Sequence, residues 1–216
     1  MTIALPDEIQ IACATLGQNP NWDVDESMSE TELRKTPLGQ LLTAFEIYGT
    51  QWENHRRLGW LAMFAARRAL PCWELYCDGN EPHQAIQAVE EWLINDSHPN
   101  SWEGLAKAAD PSFRGKRIRD CRECDTSCAA EAAALATRFA WKGNPIDALS
   151  AVSFAEAAFD QSPLGSKDDF CTWSIEIAIL AAYQCRGLSI YERNLYRSYN
   201  PDEIPLDREK YARFWH

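Results

Sequence analysis

The sequence predicts an all-α fold, a multi-helix bundle of about eight to ten helices arranged as antiparallel helix hairpins. Three observations carry this expectation. Helix-start and helix-stop residues recur along the chain, and no segment shows the period-two alternation of a half-buried strand. Connections such as Gly49–Thr50 and Gly143–Pro145 are short, which favours antiparallel neighbours. The nine tryptophans (Trp22, Trp52, Trp60, Trp73, Trp92, Trp102, Trp141, Trp173 and Trp215) fall roughly one per expected helix, as bulky pegs between helices would.

Pro6, Asp7 and Glu8 open the first helix, because proline suits the first turn and acids complement the positive end of the helix dipole. It is expected to stop at Gly17, and residues 18–35 read as an acidic loop. Thr36 and Pro37 start a second helix that ends at Gly49, and Thr50 with Glu53 forms a capping box for a third. From Leu58 through Trp60, Leu61, Met63, Phe64, Ala65 and Ala66 this third helix is apolar almost all round, which marks it as the central, buried one. It is expected to run to about Leu70, with a break or kink at Pro71.

The next helix, near 82–95, sets Ala85, Ile86, Val89, Trp92 and Leu93 on one stripe, with Glu90 and Glu91 off it. Ser101 begins a short helix that ends before Pro111, and Asp125 to Lys142 is an alanine-rich helix suited to close packing. Gly143, Asn144 and Pro145 supply a C-terminal glycine, an N-cap and a first-turn proline in succession, a tight turn between two helices. A further helix spans about 167–186 and ends at Gly187, and Ser189 with Glu192 caps another. Residues 200–216, with Pro201 and Pro205, are expected to wrap over the bundle as a tail, completing a single helical domain over 1–216.

At 216 residues the chain is long enough to bury a core without metal or disulfide. It carries 21 Lys and Arg against 32 Asp and Glu, a net charge of −11, and no basic residue precedes Arg34. Such a surface repels phosphate backbones, so no nucleic-acid partner is expected. The basic-free start lacks the positive region of a secretory signal, and no apolar run approaches the ~20 residues that span a bilayer. The expectation is a cytoplasmic protein with no membrane partner.

In that setting the eight cysteines are expected as reduced thiols. Cys121, Cys124 and Cys128 form the one spacing suggestive of a metal site, to which Cys72 and Cys77 are candidate additions. The three also fall on one helix face, where thiols simply pack, and no bound cofactor is expected. His55, His83, His98 and His216 form no helical metal pair, and the chain has no HExxH, GxSxG, Walker or GxGxxG motif. No catalytic residue is singled out, and the chain is not expected to be an enzyme.

Two charge features remain. Arg114, Lys116, Arg117, Arg119 and Arg122 form a dense basic cluster, balanced by Asp120, Glu123 and Asp125, that reads as a solvated helix face. From Ala69 through Ala106, by contrast, no Lys or Arg occurs, while Glu74, Asp78, Glu81, Glu90, Glu91, Asp96 and Glu103 accumulate beside Trp73, Trp92 and Trp102. An acidic surface punctuated by aromatic residues suits a basic protein partner, since charge steers the encounter and buried aromatics anchor it. The competing reading puts the tryptophans in the core and leaves the acids to solubilise. The candidate partner-binding set is Glu74, Asp78, Glu81, Glu90, Glu91, Asp96, Trp102 and Glu103.

The stretch ArgArgLeuGlyTrpLeuAlaMetPheAlaAlaArgArgAlaLeuProCysTrpGlu, Arg56 to Glu74, is followed by AlaIleGlnAlaValGluGluTrpLeu, Ala85 to Leu93. With the alanine-rich pair Ala129–Ala140 and Ala148–Ala158, this resembles a helical family of bacterial immunity proteins of polymorphic toxin systems, over roughly residues 52–160. The cysteine and basic segment 114–128, the acidic start and the long tail depart from that pattern. The resemblance implies an inhibitor that binds and occludes a cognate toxin domain, expected to be basic, in the cytoplasm and without catalysis. The alternatives are a metal-binding or redox protein built on Cys121, Cys124 and Cys128, and a helical scaffold for some other protein.

Overall fold

The computed structural model describes residues 5–19, 22–74, 77, 79–113, 125–160, 162 and 164–184. These fold as an all-α bundle, with no strand among the described residues. Its helices are α1 (Asp7–Gln18), α2 (Glu30–Leu33), α3 (Pro37–Ile47), α4 (Gln51–Glu74), α5 (Glu81–Asn95), α6 (Trp102–Ala109), α7 (Asp125–Lys142), α8 (Pro145–Asp160), α9 (Lys167–Trp173) and α10 (Ile179–Gln184). A π-helical turn, Ser174–Ala178, joins α9 to α10. Among the described residues no helix is long and apolar enough to cross a membrane.

Helix α4 is the axis of the bundle. Seventeen of its 24 residues are buried, and it packs against α3, α5, α7, α8 and α10. The facing surfaces of α4, α7 and α8 are lined by Ala62, Ala66, Ala69, Ala129, Ala132, Ala133, Ala136, Ala148, Ala151 and Ala155, all essentially inaccessible. Small side chains let these helix axes approach closely. The α7–α8 turn matches its sequence signature: Gly143 has φ +71°, its N–H bonds the Phe139 carbonyl at 2.7 Å, and Asn144 Oδ1 accepts from the Ile146 N–H at 3.2 Å.

Burial on every side leaves α4 with three arginines inside the protein: Arg56, Arg57 and Arg68 are at most 4% exposed. Each guanidinium lies between two aromatic rings. Arg56 is 5.7 Å from the Trp52 centroid and 5.3 Å from that of Trp92. Arg57 sits 5.6 Å from Phe45 and 4.4 Å from Tyr183, and Arg68 sits 5.6 Å from Phe159 and 5.2 Å from Trp173.

Two of the three also finish neighbouring helices. Arg57 donates to the carbonyls of Phe45 and Tyr48, each at 3.0 Å, at the end of α3. Arg56 donates to the carbonyls of Trp92, at 3.2 Å, and Leu93 at the end of α5. Neither α3 nor α5 has a basic residue in its own last turn, so the carbonyls of Tyr48 and Leu93 and the negative dipole ends are met from α4, while the Phe45 and Trp92 carbonyls also accept the N–H groups of Tyr48 and Asp96.

Three sequence expectations change. Helix α4 is not broken at Pro71 but continues to Glu74, because a proline in the last turn removes one backbone bond while Cys72 and Trp73 stay buried. Residues 18–35 are less of a loop than expected: Trp22 and Val24 are buried, and Ser29 with Glu32 caps the one-turn helix α2. Ser153 Oγ accepts from the Val24 N–H at 3.3 Å, and Ser150 Oγ donates to the Val24 carbonyl at 3.4 Å, fastening this segment to α8. The helix expected over 167–186 contains the π turn, and the helix expected from Ser189 and the tail at 200–216 lie outside the described residues.

Replacing Arg57 by Ala should cost about 3–5 kcal/mol in urea denaturation, since the Tyr48 carbonyl and Asn54 lose a donor, the Phe45 carbonyl loses one of two, and a buried side chain is deleted. Arg57→Lys should recover only part, because an ammonium lacks the planar fork. A Cβ at Gly39 would lie 1.8 Å from the Leu33 carbonyl oxygen. Gly39→Ala should therefore cost about 2–3 kcal/mol, read as a lower thermal midpoint.

Candidate functional site

The acidic candidates do not converge on a point. Helix α5 runs antiparallel to α4, so they form an edge about 22 Å long, taking 1.5 Å per residue over the helix. At one end Glu74 Oε1 lies 2.8 Å from His83 Nε2, and Glu81, in the first turn of α5, is half-buried. Midway, Glu90 pairs with Arg67 at 2.9 Å, and exposed Glu91 accepts from Gln87 Nε2 at 3.0 Å. At the far end Asp96 pairs with Arg56 at 2.9 Å, and Glu103 in α6 pairs with Lys107 at 2.6 Å. Asp78 lies outside the described residues.

Much of this acid is therefore met by cations from α4 or α6, which a reading of the 69–106 stretch alone does not reveal. Lys107 holds the Glu103 carboxyl below its ordinary range. Asp96 does a second job: with φ 53° it is the left-handed residue that ends α5, a conformation an aspartate tolerates better than most side chains.

The tryptophans of this stretch are not surface anchors. Trp73 is 1% exposed and donates its indole N–H to the Gly79 carbonyl at 2.7 Å. Trp92 and Trp102 meet edge to face at 6.3 Å, and the Trp102 indole N–H points to His98 Nδ1 at 3.3 Å. An indole ring is stabilised by apolar burial when its N–H also finds a partner, as those of Trp73 and Trp102 do. Trp102 thus belongs to the core and leaves the candidate binding set.

The exposed aromatic here is one the charge pattern did not single out. Trp52, on the first turn of α4, is 51% exposed and lies against the Arg56 guanidinium, which also rests on buried Trp92. The signal was present as the i, i+4 spacing of Trp52 and Arg56. Asp96, Arg56 and Trp52 thereby form an acidic and aromatic corner where α5 ends.

A second cluster escaped the sequence entirely because its members come from four separate stretches. Arg138, on α7, bridges Glu26 at 2.5 Å and Asp147, on α8, at 2.8 Å. Burial raises the Asp147 carboxyl despite this pairing. Seven residues before Arg138 on the same helix, Glu131 is pushed up to about 7, first by burial and then by the charges of Asp110 and Glu26, with Arg138 opposing. Glu131 therefore holds or releases a proton near neutrality.

The thiols offer little chemistry. Burial pushes Cys13 up to about 11 and Cys171 up to about 12, which keeps both protonated and unreactive at neutral pH. Cys128 is half-buried on α7, Cys72 is buried and Cys77 is half-buried, while Cys121, Cys124 and the basic cluster 114–122 lie outside the described residues. Among the described residues no group of three or more His, Cys, Asp or Glu is placed to hold a metal ion. No protein-family model, no curated protein and no solved structure matches this chain.

Because the folded-state value of Glu131 lies above its unfolded one, its ionisation opposes folding: the penalty is small below about pH 4.5 and complete above about pH 7. Glu131→Gln should therefore stabilise the protein increasingly as pH rises, by about 1–2 kcal/mol more at pH 8 than at pH 5 after allowance for its partial exposure. Denaturant midpoints of both proteins at the two pH values measure this, and parallel pH profiles would refute it.

Proposed function

We propose that this chain is a non-catalytic protein-binding module that captures and occludes a basic toxin domain in the cytoplasm, in the manner of an immunity protein. The observation that carries the reading is the α5 edge, where exposed Glu74, Glu91, Asp96 and Glu103 end beside exposed Trp52. Charges along such an edge steer a cationic partner, and an exposed indole beside them supplies an anchor. Arg56, already held by carbonyls and a carboxylate, keeps Trp52 in place before binding, which lowers the entropic cost of docking. Inhibition by occlusion asks only for a rigid surface of suitable charge, and α4 provides the rigidity.

The resemblance adds that a gene for the toxin should lie immediately upstream. Co-expression with that gene's product should yield a stable complex. Trp52→Ala should weaken it by ~30-fold or more, as expected for an aromatic anchor worth about 2 kcal/mol. Charge reversal at Glu90 and Glu91 should slow association at low salt by roughly 10-fold, an effect that fades as salt rises. A complex that forms with unchanged affinity in all these variants would overturn the assignment of this surface.

A further inference from the structure

Between Trp22 and the start of α2 the chain runs as a strap along α8. Trp22 fixes one end: it is buried, donates its indole N–H to the Leu16 carbonyl at 3.2 Å and meets Phe170 edge to face at 6.3 Å. The Ser29–Glu32 capping box fixes the other end. Of residues 23–28 only Val24 is buried. The alternation of buried Trp22 and Val24 with exposed Asp23 and Asp25 is that of an extended chain.

Beside the strap α8 carries a polar stripe, Asp147, Ser150, Ser153 and Glu156, spaced three residues apart and at most 8% exposed. Ser153 and Ser150 meet the N–H and carbonyl of Val24 as a neighbouring strand would. Asp147 shares Arg138 with Glu26 of the strap, and Glu156 pairs with Lys167, on which the charge of Asp23 also acts. From Asp147 to Glu156 the helix rises about 13 Å, and residues 23–26 cover about 10 Å in extended form. The strap is thus held by two hydrogen bonds, one shared arginine and one apolar side chain, the profile of a segment that opens locally.

Glu131 lies two turns before Arg138 on the same face of α7, a rise of about 10 Å. Among the described residues the charges that act on it come from Asp110 at the end of α6, Glu26 on the strap and Arg138 on α7 itself, which also binds Asp147 of α8; α4 and α5 contribute none. Closing the strap brings the Glu26 charge onto Glu131. Opening removes that charge and leaves Arg138 freer to attract Glu131, so both changes favour its carboxylate. We propose that residues 23–28 form a latch that opens while the bundle stays folded, and that Glu131 gates it, protonated when the latch is closed and ionised when it is open. The closed latch is therefore most stable at low pH and loses stability as pH rises from about 4.5 to about 7. Once open, it uncovers the hydroxyls of Ser150 and Ser153 beside Arg138, groups placed to receive an extended chain.

Hydrogen exchange of the Val24 amide in the full chain, divided by its intrinsic rate at each pH, tests the latch. Protection should fall by at least ~3-fold between pH 5 and pH 8 in the parent and stay level in Glu131→Gln. Low urea should leave Val24 exchange unchanged while it speeds the buried amides of α4, because a local opening exposes little surface. Ser153→Ala should speed Val24 exchange by ~5-fold at both pH values, the worth of one hydrogen bond. Equal pH profiles in parent and Glu131→Gln would overturn the gate. Val24 exchange that follows urea as the α4 amides do, or that ignores Ser153→Ala, would overturn the latch itself.

Discussion

The structure depends on a problem created at its centre. A 24-residue helix packed on all sides has no face left for charge, yet α4 brings three arginines inside. Moving a guanidinium out of water is costly unless its donors and its flat faces are both occupied. Here the faces are covered by rings, and the donors of Arg56 and Arg57 are spent on carbonyls at the ends of α3 and α5. The cost of burying a charge and the cost of leaving helix ends unsatisfied thereby offset each other. The same residues orient α3 and α5 relative to α4, since a planar fork accepts its carbonyls only from a narrow range of directions.

The second constraint is the thinness of the alanine layer between α4, α7 and α8. Close helices leave little room for polar groups, so those that α8 carries inward are held by specific partners. Glu156 is 2% exposed and meets Lys167 at 2.6 Å, Asp147 meets Arg138, and two serines hold the backbone of Val24. Through them α8 fastens the 22–29 segment and the start of α9 to the bundle. Acids that would repel one another in a looser protein are pressed together around Arg138, and this crowding leaves Glu131 titrating near neutrality.

Most of the helical framework was legible because its signals are local. Thr36, Ser101 and Ser166 each accept a backbone N–H three residues on, and the Gly143 turn needs only its own residues. The Ser29–Glu32 capping box is equally local, but it was hidden inside a stretch dominated by its charge. Long-range facts were not legible. An arginine beside a leucine on α4 gives no hint that its partners are carbonyls 9 to 37 residues away. Within the candidate site the density of acid was readable, but not which acids meet a cation or which way Trp92 and Trp102 turn. Those outcomes depend on how α4, α5 and α6 lie together, as does the exposure of Trp52.

The stack of Trp52, Arg56 and Trp92 runs from solvent to core through one guanidinium. Surface and interior are therefore not separate compartments at this corner. Whatever covers Trp52 and the neighbouring Asp96 takes water from that half-exposed carboxylate, strengthening its pairing with Arg56. Occupancy at the surface thus tightens a joint in the framework, and a loosened joint in turn blurs the surface. Sequence drift at this corner is coupled for the same reason: a change of ring size at position 52 is felt by α5 through Arg56, so adaptation to a new partner here proceeds under the veto of the core.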